Sequence, residues 1–332
     1  MTSETAITDE MRRSIGTRLF PDFPQEEVST WAIRRYLEAV TDDNPLWSDE
    51  GFAKESRWGG FIAPPAFLEV FNPANHAFRH YPDMSHMSLP FDPPFPRTFM
   101  AYNEYEFFIP VSPGDLITST CKIGDVYDRT STSGAGRMVF IRMDNEHRNQ
   151  RNELVGITSE AMVSIEGSSS KPAVTETPAP PKVEQRPVST EQVYFDTIEV
   201  GAELPTLVKE VSLFTILKWG AAVNDYGPHH FDYPFATQML GLPNVIAHGP
   251  YNTAILAQLV TNWIGAWGVL KKHYAEMRGN VFPGDTITFQ GRVANKYEQD
   301  GDGIVECESW AQNQNGRKVT LGRSTAVLPR RQ

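Results

Sequence analysis

Apolar residues recur at helical spacing after a serine or threonine in both halves of the chain, and such residues often cap helices. The two patterns are Ser29 or Thr30 with Ile33, Leu37 and Val40, and Ser212 with Ile216 and Val223. A longer apolar pattern predicts a helix over His248–Trp263 in the second half. Its apolar side would carry Ile255, Leu256, Leu259, Trp263 and Ile264.

Segments that alternate apolar and polar residues follow these helices and predict strands. In the second half they are Asp285–Val293, Ile304–Gln312 and Lys318–Leu328. In the first half, Val139–Ile165 predicts a strand pair around the polar turn Asn145–Glu153. A helix followed by several antiparallel strands, occurring twice, predicts the α+β class with a sheet wrapped around a long helix in each half.

The halves are also related by an internal repeat. Residues 28–53 align with residues 211–236 at an offset of 183, and residues 60–65 align with residues 244–249 at an offset of 184. The Pro-Gly-Asp turns at 112–115 and 282–285 align at an offset of 170. The smaller offset places about fourteen extra residues in the first half, in the insert Asn72–Thr98. The repeat therefore predicts two fused copies of one domain.

Length and composition agree with two domains and narrow the class of partner. The 332 residues suit two cores of about 150 residues each. The segment Gly167–Thr190 is rich in proline and predicts an extended linker between a domain at 1–166 and a domain at 191–332. A net charge of −11 argues against nucleic acid or an anionic membrane surface as the main partner.

The cysteines and the N-terminus bear on the compartment. Cys121 and Cys307 lie in strand-like runs of opposite halves, which favours buried thiols over a disulfide. The N-terminus has no apolar signal core, and no apolar run approaches the roughly 18 residues of a membrane span. We therefore expect a soluble, cytoplasmic protein. The sequence has no phosphate-binding glycine loop, so no nucleotide cofactor is implied.

The two copies of the repeat differ in residues that can carry chemistry, since Trp47 stands where the second copy has His230. The stretch Asp225–His230, D-Y-G-P-H-H, followed by Ile246-Ala247-His248-Gly249, resembles the Asp-x-Asn-Pro-aliphatic-His signature of the MaoC-like type-2 (R-specific) enoyl-CoA hydratases. The resemblance covers nearly the whole chain, because the fused pair looks like the double-hotdog members of that family.

The resemblance implies reversible addition of water to a trans-2-enoyl thioester, which gives the (R)-3-hydroxyacyl thioester. It implies that Asp225 and His230 act on the water, and the ordinary pKa of histidine, about 6.5, suits that work. It also implies that the N–H of Gly249, at the start of the long helix, stabilises the negative charge on the thioester oxygen. The substrate would be an acyl-CoA or an acyl-carrier-protein thioester, without cofactor or metal, and the assembly a possible homodimer.

The first half lacks the parts that this chemistry needs. Pro65 replaces Gly249, and proline has no N–H, so the equivalent oxyanion donor cannot exist. In the family the degenerate half lodges the acyl chain. We therefore predict substrate-binding residues at Trp47, Pro65, Phe71 and His248. The insert Asn72–Thr98 could line the path of the acyl group, or it could cover a sheet edge.

Several alternatives remain open. Gly227 stands where the family has asparagine and His229 where it has an aliphatic residue, so either histidine could be the base, although spacing favours His230. His248 could instead be structural, capping the long helix. A spaced trio of histidines in the insert could suggest a metal, but no cysteine or tight carboxylate cluster accompanies it: His76, His80 and His86. The alternative function is a non-catalytic acyl-thioester binder or a thioesterase on the same fold.

Overall fold

The computed structural model describes residues 5–20, 25–77, 89–95, 97–131, 136–167 and 188–331. Most of the predicted linker and the middle of the insert lie outside these residues, and so do the side chains of the three histidines in the insert.

Ten strands within the described ranges form one antiparallel sheet, in which the two halves of the chain lie side by side. The first half supplies β1 (Glu26–Glu27), β2 (Arg97–Phe107), β3 (Leu116–Thr130), β4 (Arg137–Arg148) and β5 (Leu154–Ile165). The second half supplies β6 (Leu207–Glu210), β7 (Val269–Met277), β8 (Thr286–Gln299), β9 (Asp302–Asn313) and β10 (Lys318–Leu328). The order β1-β3-β4-β5-β2-β7-β10-β9-β8-β6 places equivalent strands symmetrically about the junction of β2 with β7.

The predicted strands are confirmed, with two main changes of boundary, the first being that β8 continues to Gln299 rather than ending at Val293. In the first half β4 continues to Arg148, so the turn between β4 and β5 begins at Asn149 rather than at Asn145. The N–H of Asn149 donates to the carbonyl of Glu153 at 3.0 Å and closes this turn. The cross-strand hydrogen bonds of residues 145–148 explain why these polar residues extend the strand.

The α-helices of the described residues are α1 (Asp9–Ser14), α2 (Thr30–Val40), α3 (Pro45–Ser48), α4 (Glu50–Glu55), α5 (Pro73–Ala77), α6 (Leu213–Val223) and α7 (Gly249–Ile264). The repeated segment forms the same helix twice. Ser29 accepts a hydrogen bond from the N–H of Ala32 at the start of α2, and Ser212 accepts one from Thr215 at the start of α6. Both helices end in a left-handed residue, Thr41 or Asn224, as the repeat predicts.

Helix α7 is the centre of the second half. It has 16 residues, so it is about 24 Å long. Every side chain from Pro250 to Ile264 is buried, because β7 to β10 cover one side of the helix and elements of the first half cover the other. The predicted helix is confirmed, but the expected single apolar side is not, since the helix is buried on all sides.

The first half does not contain an equivalent long helix in its described residues, which corrects the expectation of one in each half. A seven-residue 3-10 helix, Pro65–Phe71, stands in its place and is followed by α5. Pro73 explains the break: its ring would clash with the carbonyl of Glu69 in a continuous α-helix, and it disfavours helical backbone at Asn72.

The 3-10 helix carries a buried carboxyl group, that of Glu69. The buried Glu69 carboxylate accepts hydrogen bonds from Asn72 and from the Tyr105 hydroxyl, both at 2.9 Å. Burial raises the pKa of Glu69 to about 7 and that of Glu160 to about 8. The negative charge of Asp225 is one of the causes of both raised pKa values, which links these carboxyls electrostatically to the candidate site.

The described end of the insert covers the inner face of the first half-sheet. Phe91 is buried with Met11 of α1 and with Ile123, Val139 and Ile141 of β3 and β4. This part of the insert therefore acts as a cover over the sheet. The predicted role of its other apolar residues in shaping the acyl path lies mostly outside the described residues.

Asp115 and Asp285 form turns, as the Pro-Gly-Asp pattern predicts. Each carboxylate accepts a hydrogen bond at 2.8 Å from the backbone N–H three residues earlier, and each preceding glycine has a positive φ. Cys121 and Cys307 are both buried and unpaired, so the expectation of free thiols is confirmed. Within the described ranges, no helix combines the length and the apolar character needed to cross a lipid bilayer.

Candidate active site

The loop after α6 positions Asp225. Asn224 adopts left-handed backbone with φ of 58°, which ends the helix and turns the chain. The Asp225 carboxylate then accepts a hydrogen bond from the N–H of Gly227 at 3.1 Å, and a short 3-10 helix, Pro228–His230, follows. The first half has the same turn, where Asp42 accepts from the N–H of Asn44 at 3.1 Å. The sequence repeat is therefore also a structural repeat.

His230 is held in one tautomer. Its Nδ1 lies 2.7 Å from the carbonyl oxygen of Ile246, and a carbonyl can only accept, so Nδ1 carries the proton. The free Nε2 faces the Asp225 carboxylate, with 4.0 Å between Nε2 and Oδ2. Because this distance is shorter than two hydrogen bonds of about 2.8 Å, one water molecule can contact both groups.

His248 ties the start of α7 to the Asp225 loop. Its Nε2 lies 3.2 Å from the backbone carbonyl of Asp225, so Nε2 carries the proton, and its ring stacks on His230 with 3.6 Å between centroids. The side chain makes no capping hydrogen bond, so the predicted capping role is wrong, although His248 does occupy the N-cap position. The side chain is fully buried, and its predicted contact with substrate stays a prediction.

The two departures from the family motif are linked in space. The ring of His229 lies against His230, with 3.9 Å between centroids. A Cβ atom on Gly227 would lie 2.9 Å from Cε1 of His229, closer than carbon atoms pack. A side chain at 227 would therefore require the His229 ring to move, so the two departures from the family pattern are in direct contact.

Both central imidazoles are neutral at pH 7. Burial lowers the pKa of His230 well below its ordinary value, and the adjacent His248 and His229 lower it further, against the opposing charge of Asp225. Burial also lowers the pKa of His248 to about 3. A neutral His230 with a free Nε2 can accept a proton from water, which is the first requirement of a general base.

Gly249 is the first residue of α7 and is partly exposed. An N–H in the first turn of a helix has no partner within that helix, and the helix dipole favours negative charge there. Met277 and Met100 flank this residue, because a Cβ atom on Gly249 would lie 3.2 Å and 3.6 Å from their side-chain carbons. Met100 comes from the first half, so both halves border the candidate oxyanion donor.

The other predicted site residues lie elsewhere. Trp47 and Pro65 line a cavity of about 220 Å³ together with Thr261 and Ile264, at the opposite end of α7 from Gly249. Phe71 is buried against Phe67, with 5.6 Å between ring centroids, and does not line this cavity. The prediction that these residues share one substrate site with Asp225 and His230 is therefore not supported by their positions.

Asp225, His230 and His248 offer ligand atoms within 4.8 Å of one another, so they are the candidate for a metal centre among the described residues. The stacked rings have in-plane lone pairs that run side by side rather than toward a common point. The Nε2 proton of His248 and the Nδ1 proton of His230 are also used in hydrogen bonds to backbone carbonyls. The group suits acid–base chemistry better than metal binding.

Sequence reasoning missed three contributors: Met100, Met277 and the carbonyl of Ile246. The carbonyl has no signature in the residue type, because any residue supplies one. Met100 lies two residues after the insert. Met277 lies 170 residues beyond Phe107, so the repeat offset relates Met277 to the end of β2.

Comparisons with known proteins bear on the fold and on the two domains. Residues 14–158 match the family model of a FAS1-like dehydratase domain region, and residues 200–312 match that of a MaoC-like domain. A solved MaoC-like dehydratase is similar with a TM-score of 0.69 at 20% identity, over 94% of this chain and 99% of that chain. A conserved hypothetical protein from Mycobacterium tuberculosis with a double hotdog fold has a TM-score of 0.64 at 12% identity, over 92% of this chain and 95% of that one.

A fatty acid synthase subunit matches part of the chain. The fatty acid synthase subunit beta of Gibberella zeae is 30% identical over 123 residues, which is 36% of this chain. The chain spans only 5% of the length of that subunit. Together, the matches confirm the double hotdog fold that the motif led us to expect.

Proposed function

The chain joins a FAS1-like dehydratase domain to a MaoC-like domain, and from this premise we propose that it is a hydro-lyase that interconverts a trans-2-enoyl thioester and the (R)-3-hydroxyacyl thioester. The observation that carries the proposal is the arrangement of three groups. The free Nε2 of His230 and the carboxylate of Asp225 face one water position, and the N–H of Gly249 is available to an oxygen.

In the proposed reaction the thioester oxygen accepts a hydrogen bond from the N–H of Gly249, which polarises the conjugated double bond. Asp225 and His230 hold the water. As the water oxygen bonds to C3, Nε2 of His230 takes its proton, and the negative charge collects on the thioester oxygen. The imidazolium then returns the proton to C2. Because one group on one face takes and returns the proton, the addition is syn.

The substrate class follows from the same proposal. The proposed substrate is a thioester of coenzyme A or of an acyl carrier protein; both are anionic, so the net charge of −11 does not select between them. Met100 and Met277 supply adaptable apolar surface beside the reacting group. We assign His248 a positioning role, because it fixes the backbone of Asp225 and stacks on His230.

Crotonyl-CoA tests the reaction. We expect loss of the ultraviolet absorbance of the conjugated enoyl thioester without release of free thiol. Asp42→Asn serves as the matched control, since Asp42 is the counterpart of Asp225 in the first half. Release of thiol would assign the site to a thioesterase, and no change in either signal would favour a non-catalytic binder.

A further inference from the structure

The cavity beside Trp47 and Pro65 is the counterpart of the candidate active site. Trp47 corresponds to His230, Pro65 to Gly249, and Phe107 to Met277, which flanks the catalytic glycine. The first half has thus kept a concave site while losing the groups needed for acid–base chemistry. Such a site can bind a molecule without converting it.

The walls of the cavity are suited to a short apolar chain. Leu46, Trp47, Leu68 and Phe107 are buried side chains that line it. Its volume of about 220 Å³ is somewhat below the roughly 300–1,000 Å³ of typical ligand pockets. If each chain atom occupies about the 30 Å³ of a water molecule, the cavity has room for roughly seven of them.

Two cationic side chains also line the cavity. Arg57 is exposed and Lys271 is half-buried, and neither forms a salt bridge with any of the described residues. The Arg57 guanidinium donates one hydrogen bond to the carbonyl of Trp267 at 3.2 Å and lies over the Trp58 ring, which orients it while leaving further N–H groups free. Two cations at one apolar cavity are notable in a chain of net charge −11.

The cavity is separate from the catalytic groups. It lies against Thr261 and Ile264 near the end of α7, whereas Gly249 is the first residue of that helix, which is about 24 Å long. A short molecule in the cavity therefore cannot reach Gly249 or His230.

We propose that this cavity is a second, non-catalytic site that binds a monocarboxylate with a short apolar chain. The chain lies among Trp47, Leu68 and Phe107, and the carboxylate pairs with Arg57 and Lys271. The guanidinium fork matches the geometry of a carboxylate, and the lysine adds a second positive charge.

Isothermal titration calorimetry with octanoate tests the proposal. We expect one octanoate per chain, binding at least tenfold weaker in Arg57→Gln/Lys271→Gln, and at least tenfold weaker binding of 1-octanol, which has the same chain without the charge. Lys272→Gln is the matched control, because Lys272 pairs with Glu106 at 3.0 Å and points to the other face of β7. This control should bind octanoate like the wild type.

A second measurement separates the cavity from the active site. If the enzyme hydrates crotonyl-CoA, saturating octanoate should not compete with that substrate. The proposal is overturned if the wild type does not bind octanoate, if Lys272→Gln weakens binding as much as the double variant, or if octanoate competes with crotonyl-CoA. Calorimetry needs no turnover, so an enzyme inactive on crotonyl-CoA would leave this test intact.

Discussion

Replacing Glu160 by glutamine should make the protein more stable at alkaline pH. Glu160 is 8% exposed on the inner face of the first half-sheet, and its Oε1 has no hydrogen-bond partner among the described residues. Burial, with the like charges of Glu69 and Asp225, raises its pKa to about 8 from an ordinary value near 4.5. The folded protein therefore keeps a proton on Glu160 that the unfolded chain loses.

The sign and size of the effect follow from this difference. Between about pH 4.5 and pH 8 the folded state binds more protons than the unfolded state, so stability falls as the pH rises through that window. At about 1.4 kcal/mol per pH unit, the loss approaches roughly 3–5 kcal/mol at pH 9. Below pH 4.5 Glu160 is protonated in both the folded and the unfolded state, and the loss vanishes. Glutamine does not titrate, so the Glu160→Gln variant does not lose this stability as the pH rises.

Urea denaturation at pH 4.5, 7 and 9, followed by tryptophan fluorescence, measures the difference between variant and wild type. We expect little difference at pH 4.5 and a gain in the unfolding free energy of the variant that grows to several kcal/mol at pH 9. Glu166→Gln is a control in which the effect has the opposite sign. Arg137 lowers the pKa of Glu166 to about 2, so this variant should be less stable than the wild type at pH values above the ordinary pKa of glutamate. A gain for Glu160→Gln that is constant across pH would show that folding does not raise the pKa of Glu160.

Two further predictions concern the degenerate half and the departures from the family motif. Asp42→Asn should leave kcat within about twofold of the wild type, and Trp47→Ala should lower the unfolding free energy by about 3 kcal/mol because the ring is buried. Trp47→His should create no second active site, since Pro65 has no N–H. Steady-state kinetics and denaturation measure these outcomes, and detection of two active sites per chain would contradict them. Gly227→Asn should lower kcat about tenfold by displacing His229, and adding His229→Leu to that variant should restore most of the loss. A double-mutant cycle should give a coupling energy of at least about 1 kcal/mol between the two positions. Additive effects would show that the two positions are independent.

The sequence predicted much of the fold because the relevant signals are local. Ser29 and Ser212 cap α2 and α6 as expected, and α7 begins within one residue of its predicted start. The long helix expected in the first half is missing from its described residues, although Pro73 was visible in the sequence. The repeat suggested equal helices, but Pro73 opposes a continuous helix more strongly than the similarity favours one.

The candidate site was harder to predict, because sequence equivalence does not mean proximity. Trp47 and Pro65 are equivalent to His230 and Gly249, but the symmetry of the two halves places the equivalent residues at opposite ends of α7. The tautomer of His230 depends on a backbone carbonyl, and its low pKa depends on burial beside two other imidazoles. These features arise only when distant segments pack together.

In the proposed reaction His230 and Asp225 activate the water that adds to an enoyl thioester. The most direct measurement is the kcat of crotonyl-CoA hydration in His230→Ala, beside Asp225→Ala and the double variant. We expect each single variant to lose about 10²-fold or more and the double variant to be little worse than the slower single one, since both groups act on one water. A rate near that of the wild type in folded His230→Ala would show that His230 is not the general base and would assign that role to His229 or to another residue.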